Sequence, residues 1–122
     1  MKIVFCEDEP VIRRLIELSL RGTAYQFRTA AGAAEALELV RRWRPDVLVT
    51  DIAMPGMTGL ELAAAVRGDD DLRELPIVFM TASINRGAEE AETGAHRPAA
   101  HLRKPFGPSA LRAVLASLEP AG

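Results

Sequence analysis

The 122-residue chain has a single cysteine, Cys6, so no internal disulfide can form and a thiolate zinc site has too few ligands. That economy agrees with a reducing compartment. Neighbouring acids at Glu7 and Asp8 would suppress the Cys6 thiolate, so a buried core cysteine is expected rather than a reactive one. No apolar stretch approaches the ~20 residues of a membrane span, and Met1-Lys2-Ile3 does not begin a secretory signal. A cytoplasmic protein is the expectation. The formal net charge of −2 leaves no broad basic footprint for nucleic acid, although Arg41-Arg42-Trp43-Arg44 is locally basic. That run reads as the solvated end of a helix. Internal repeats and low-complexity tracts are also missing, and the length suits one domain with one substantial core.

What is present is an alternation. Short apolar runs, several β-branched, are separated by longer stretches of helical period, the pattern of βαβ units around a parallel sheet. Five strands are expected, at about Lys2–Cys6, Tyr25–Thr29, Val47–Thr50, Ile77–Met80 and Ala99–Arg103, with the third and fourth buried on both faces. Five helices should fill the gaps. The first follows Glu9-Pro10 and ends near Gly22; the second starts after Gly32 and stops before Pro45. The third is expected from Thr58, a plausible cap, to Arg67, with Leu60, Ala63 and Ala64 facing inward. Asp69-Asp70-Asp71 then reads as a solvated loop rather than a metal site. Ser83 to Pro98 is alanine-rich and interrupted by Gly87 and Gly94, so its helix should be short or loosely held. The last begins near Pro108, carries Leu111, Val114, Leu115 and Leu118 on one face, and leaves residues 119–122 as a tail or truncated linker after a domain of residues 1–118.

The strand ends concentrate the chemistry. Ile3-Val4-Phe5-Cys6 ends in Glu7-Asp8-Glu9, Val47-Leu48-Val49-Thr50 in Asp51, Val78-Phe79-Met80 in Thr81, and Leu102-Arg103 in Lys104. In open parallel sheets ligands bind beyond these carboxyl ends. If Glu7, Asp8 and Asp51 converge, their mutual repulsion raises a pKa or calls for a cation, and hard oxygen ligands suit Mg²⁺. A metal-bound carboxylate can be a nucleophile toward phosphorus, and Asp51, alone on a buried strand, is the best candidate. Phosphoryl transfer then needs an ammonium and hydrogen-bond donors, roles open to Lys104 and Thr81.

On these residues the chain resembles a response-regulator receiver domain of two-component signalling, similar to the chemotaxis regulators. The resemblance spans Glu7-Asp8, Asp51 followed by Met54-Pro55-Gly56-Met57-Thr58-Gly59, Thr81-Ala82, and Lys104-Pro105-Phe106. It implies a flavodoxin-like, doubly wound sheet of order 2-1-3-4-5 with helices on both faces. It also implies that Asp51 accepts a phosphoryl group from a phosphohistidine, on a histidine kinase or a histidine phosphotransfer protein. Glu7, Asp8, Asp51 and the backbone carbonyl of Ala53 would hold Mg²⁺, and Lys104, after a cis Lys104-Pro105 bond, would pair with the phosphoryl group. Thr81 and His101 would form the switch. Histidine at that position departs from the usual tyrosine or phenylalanine, and Ser83 to Pro98 departs from the usual firm fourth helix.

The resemblance describes a phosphoprotein that catalyses only its own phosphotransfer and slow dephosphorylation, not an enzyme with a separate substrate. Partners would be a downstream protein or a fused output domain, without direct nucleic-acid or membrane binding; a phosphorylation-dependent homodimer stays open. A Mg²⁺ phosphohydrolase is disfavoured because Ala53 replaces the second aspartate such enzymes commonly use. A flavin or nucleotide binder would want glycines or hydroxyls after the first strand, where Glu7-Asp8-Glu9-Pro10 stands. A degenerate receiver that binds partners without phosphorylation remains the alternative.

Overall fold

A computed structural model describes residues 1–82 and 93–119. Five strands, β1 (Lys2–Cys6), β2 (Gln26–Ala30), β3 (Val47–Asp51), β4 (Ile77–Thr81) and β5 (Ala100–Arg103), form one parallel sheet in the order 2-1-3-4-5. The described helices are α1 (Pro10–Leu20), α2 (Ala33–Trp43), α3 (Gly59–Arg67) and α4 (Pro108–Ser117). The helix expected within Ser83 to Pro98 falls mostly outside the described residues.

Strand periodicity divides the core into two layers. Successive side chains on a strand point to opposite faces, so Val4, Cys6, Leu48, Ile77 and Phe79 meet α2 and α3, while Ile3, Phe5, Val49, Val78 and Met80 meet α1 and α4. Central strands covered on both faces become continuous apolar runs. This holds for β3 and β4 as expected, and for β1 as well. On α3 the inward face is rotated from the expected one: Leu62, Ala63 and Val66 are buried, whereas Ala64 is exposed. Alanine periodicity is a weak guide because its methyl is tolerated on either face.

The helix ends follow their sequence signals. Pro10 and Pro108 sit in the first turns of α1 and α4, where no amide donor is needed. Thr58 caps α3 in a reciprocal box: its hydroxyl accepts from the Glu61 amide at 3.1 Å, and Glu61 Oε1 accepts from the Thr58 amide at 3.2 Å. Arg44 ends α2 in the left-handed region, its amide donating to Val40.

The basic end of α2 is solvated, but it is also paired. Arg41 and Arg44 lie 3.6 and 3.8 Å from Asp69 and Asp71, and Asp70 pairs with Arg73. Trp43 packs on the core, with the Lys2 ammonium 5.0 Å and the Arg28 guanidinium 4.6 Å from its ring centre. Tertiary placement thus gives these charges protein partners.

Candidate functional site

Pairing of β1 with β3 sets the site, because their parallel register delivers Glu7 and Asp51 to the same edge. Oxygens from Glu7, Asp8 and Asp51 all lie within 4.8 Å of one another. Lys104, beyond the end of β5, reaches across to them. Its Nζ donates to Glu7 Oε2 at 2.7 Å and to Asp51 Oδ2 at 2.8 Å. Two of the three clustered carboxylates, Glu7 and Asp51, therefore share one ammonium.

Their burial differs. The Glu7 side chain is fully buried, whereas those of Asp51 and Lys104 are 14% and 12% exposed, and Asp8 is partly open. Burial pushes the Glu7 carboxyl above the usual carboxylate range; the Lys104 hydrogen bond opposes this and the Asp51 charge adds to it. For Lys104, burial disfavours the cation, but hydrogen bonds to Asp51 and Glu7 outweigh it and raise its pKa. The ammonium is held charged by a surplus of acid.

Backbone contacts fix the frame. The Gly59 amide donates to Ile52 O at 2.8 Å, and a Cβ on Gly59 would stand 1.8 Å from the Asp51 carbonyl oxygen. Only glycine lets α3 start so close to the end of β3. Gly56, with φ of 75°, occupies the left-handed region in the turn between them. Arg13 Nη1 donates to Glu7 O at 2.9 Å, and Thr50 Oγ1 donates to Asp51 O at 3.0 Å. Neither Arg13 nor Thr50 is evident from sequence, since each acts on a backbone atom of a neighbouring element or residue.

The sequence and fold comparisons agree with this geometry. Residues 3–116 match the model of the response regulator receiver domain. The chain belongs to the receiver family. The receiver is 37% identical to the chemotaxis protein CheY of Pseudomonas aeruginosa, covering 87% of this chain and 86% of that protein. It is 36% identical to the response regulator MprA of Mycobacterium leprae, covering 97% of this chain but 49% of that protein. Against its longer curated relatives the chain spans between 34% and 49% of their length. The receiver domain of sensor histidine kinase PA1611 from Pseudomonas aeruginosa superposes with a TM-score of 0.85 at 27% identity, covering 96% of this chain and 95% of that one. That structure has a magnesium ion coordinated in its active-site cleft.

The remaining expected residues take distinct places in the receiver. Thr81 ends β4 beside Asp51, and its carbonyl accepts from the Lys104 amide at 2.7 Å. The Lys104-Pro105 bond is cis, as the family resemblance implies. Ala53 is exposed two residues after Asp51, while Ser83 lies outside the described residues. His101 is on the outer surface, hydrogen-bonded through Nε2 to the buried Thr93 hydroxyl at 2.8 Å, its ring 6.2 Å from that of Phe79. Cys6 is buried with its Sγ 3.4 Å from Met54 Sδ; burial first, then the charges of Glu7 and Asp51, push its thiol up to about 12 despite an opposing hydrogen bond from Thr50. It takes no part in the cleft.

Proposed function

We propose that this receiver is a phospho-acceptor switch, in which Asp51 takes a phosphoryl group from a phosphohistidine and the modified cleft redirects a partner-binding surface. The observation that carries the reading is the Asp51 carboxylate 2.8 Å from the Lys104 ammonium, within an acidic cluster at the edge where β1 and β3 end. A carboxylate oxygen of Asp51 attacks phosphorus, and the bond to the histidine nitrogen breaks with its electron pair leaving on the imidazole. Lys104 neutralises charge on the transferring oxygens.

The donor set fits Mg²⁺. Three carboxylates against one ammonium leave the cleft short of positive charge, and their hard oxygens, with the Ala53 carbonyl, match that ion's preference. Glu7, Asp8, Asp51 and Ala53 would hold it, and when bound it supplies charge stabilisation for the phosphoryl oxygens. Magnesium in the PA1611 receiver supports this assignment. Thr81, the last residue of β4, would offer its hydroxyl to the phosphoryl group. Turning inward behind Thr81 would cost His101 its hydrogen bond to Thr93, so the two arrangements of this side chain differ by a defined contact.

In this reading the protein acts through partners, a histidine kinase or phosphotransfer protein upstream and a protein or fused output domain downstream. It turns over no separate substrate. No described helix is long and apolar enough to cross a membrane, and a cytoplasmic location goes with such partners.

Incubation with acetyl phosphate, with and without Mg²⁺, tests the reading by intact mass. A Mg²⁺-dependent gain of one phosphoryl group, lost in Asp51→Asn, is expected. No gain while a known receiver labels beside it would overturn the phospho-acceptor mechanism in favour of a phosphorylation-independent binding module.

A further inference from the structure

Two guanidinium groups converge on one carbonyl oxygen at the opposite end of the sheet. Arg67 Nη1 donates to Arg73 O at 2.9 Å, and Arg97 Nη2 donates to the same atom at 3.4 Å. Among the described residues neither guanidinium forms an ion pair with a carboxylate. Arg67 is otherwise well used: it also donates to Leu75 O at 2.6 Å, His96 O at 2.8 Å and Arg97 O at 3.3 Å. Of its five N–H groups one is left over. A clamp on the turns before β4 and β5 explains Arg67.

It does not explain arginine at position 97. That residue is exposed, its φ of 52° lies in the region side chains rarely adopt, and its one long hydrogen bond leaves most donors open. Backbone geometry alone would favour glycine or asparagine. Arg67, Arg73 and Arg97 instead line an open cavity of about 170 Å³, together with Glu74, Leu75, Pro76 and Ala99. Arg73 already pairs with Asp70. The Arg67 and Arg97 guanidinium groups are thus left facing one space, with Glu74 as the acid on its wall.

We propose that this cavity binds a diphosphate group, with Arg97 and the free Arg67 N–H as its main donors. A guanidinium fork suits paired phosphate oxygens, so Arg97 can hold one anionic centre while the single free Arg67 N–H donates to the second. The volume lies below the roughly 300–1,000 Å³ of pockets that enclose a whole drug-sized ligand. The cavity therefore takes a group, with any remainder of the molecule outside. Burial and the nearby Arg97 charge lower the Arg67 pKa and the Glu74 charge only partly offsets them, a strain that a bound anion relieves further. Glu74 on the wall acts on Arg67 through its charge without a close ion pair, and so competes with a bound anion. The cavity lies at the amino ends of β4 and β5, a strand length of roughly 15 Å from Asp51, so it is separate from the acidic cleft.

Amide chemical shifts of the whole chain, titrated with inorganic pyrophosphate or with ADP in EDTA, test this. Saturable shifts are expected at Leu75, Arg97 and Ala99, unchanged in Asp51→Asn. Arg97→Asn, which keeps the backbone conformation accessible, should raise Kd at least about tenfold, as loss of a charge-assisted hydrogen bond does. Glu74→Gln should lower it roughly two- to fivefold, the scale of one exposed charge. Tighter binding of ADP identifies a nucleotide as the source of the group, and equal affinity identifies the free anion. No saturable shift at the cavity, or an affinity that Arg97→Asn leaves intact, overturns the proposal.

Discussion

The two ends of the sheet carry opposite surpluses of charge. At the carboxyl end three acids cluster and two of them pair with Lys104, whereas at the amino end two arginines converge on a carbonyl oxygen. A formal net charge of −2 averages these away. Parallel strands explain how both arise: every strand delivers its last residues to one edge and its first to the other, so each edge is composed independently. The ends also differ in backbone. Gly59 touches Asp51 at the carboxyl end, where a side chain cannot fit, while Arg97 holds a side chain in a conformation glycine would adopt more readily.

The largest break in this contrast should come from Gly59→Ala. Its Cβ would meet the Asp51 carbonyl, a backbone atom that cannot swing away, so destabilisation of about 3 kcal/mol is expected, at the upper end of overpacking costs. Urea unfolding measures it, and a loss below about 0.5 kcal/mol, the scale of ordinary surface changes, would show that α3 is not held at this distance.

Lys104→Ala should come next. Removing the ammonium leaves buried Glu7 beside Asp51 without its partner, a loss of about 2 kcal/mol within the range for orphaned charged hydrogen-bonding groups. In metal-free buffer the melting temperature should fall; an unchanged value would mean the carboxylates are not short of cations.

Glu7→Gln should have the opposite sign. The folded Glu7 carboxyl titrates above its unfolded value of about 4.3. Its contribution to stability is therefore present below that value and is lost as pH rises through the higher folded one. At neutral pH the glutamine variant should be more stable than the parent without metal, because the parent then carries a buried charge that glutamine lacks. Its advantage should shrink toward pH 4. A variant less stable at pH 7 would mean that the Lys104 pair outweighs the crowding.

Arg97→Asn should have the smallest effect on stability, within about 0.5 kcal/mol, because an exposed side chain with one long hydrogen bond is removed. A larger loss in thermal melts would make the amino end a structural clamp throughout.

The carboxyl end was far more legible in the sequence than the amino end. Glu7, Asp51, Thr81 and Lys104 each terminate or follow an apolar run, so strand periodicity alone brings them to one edge. Asp51 and Thr81 prove to be the last residues of their strands rather than the next ones, and β2 starts one residue later than expected. Such shifts reflect pairing with neighbours, which the local pattern does not contain. Arg67, Arg73 and Arg97 carry no common period; they meet through turns that depend on where β4 and β5 begin. Likewise, the inner face of α3 was misjudged at Ala64 because small residues carry little orientation signal. Thr58 was legible, since its cap needs only Glu61 three positions on.

Trp43 is the sole tryptophan, and it lies between Lys2 and Arg28 near the amino end of β1. Its emission therefore looks away from the acidic cleft. A fluorescence titration with metal or phosphodonor would stay dark even when Asp51 changes state, whereas unfolding, which frees the indole from both cations, would be bright. A dye or an introduced indole on the Asp51 side is what would let the cleft be watched by light.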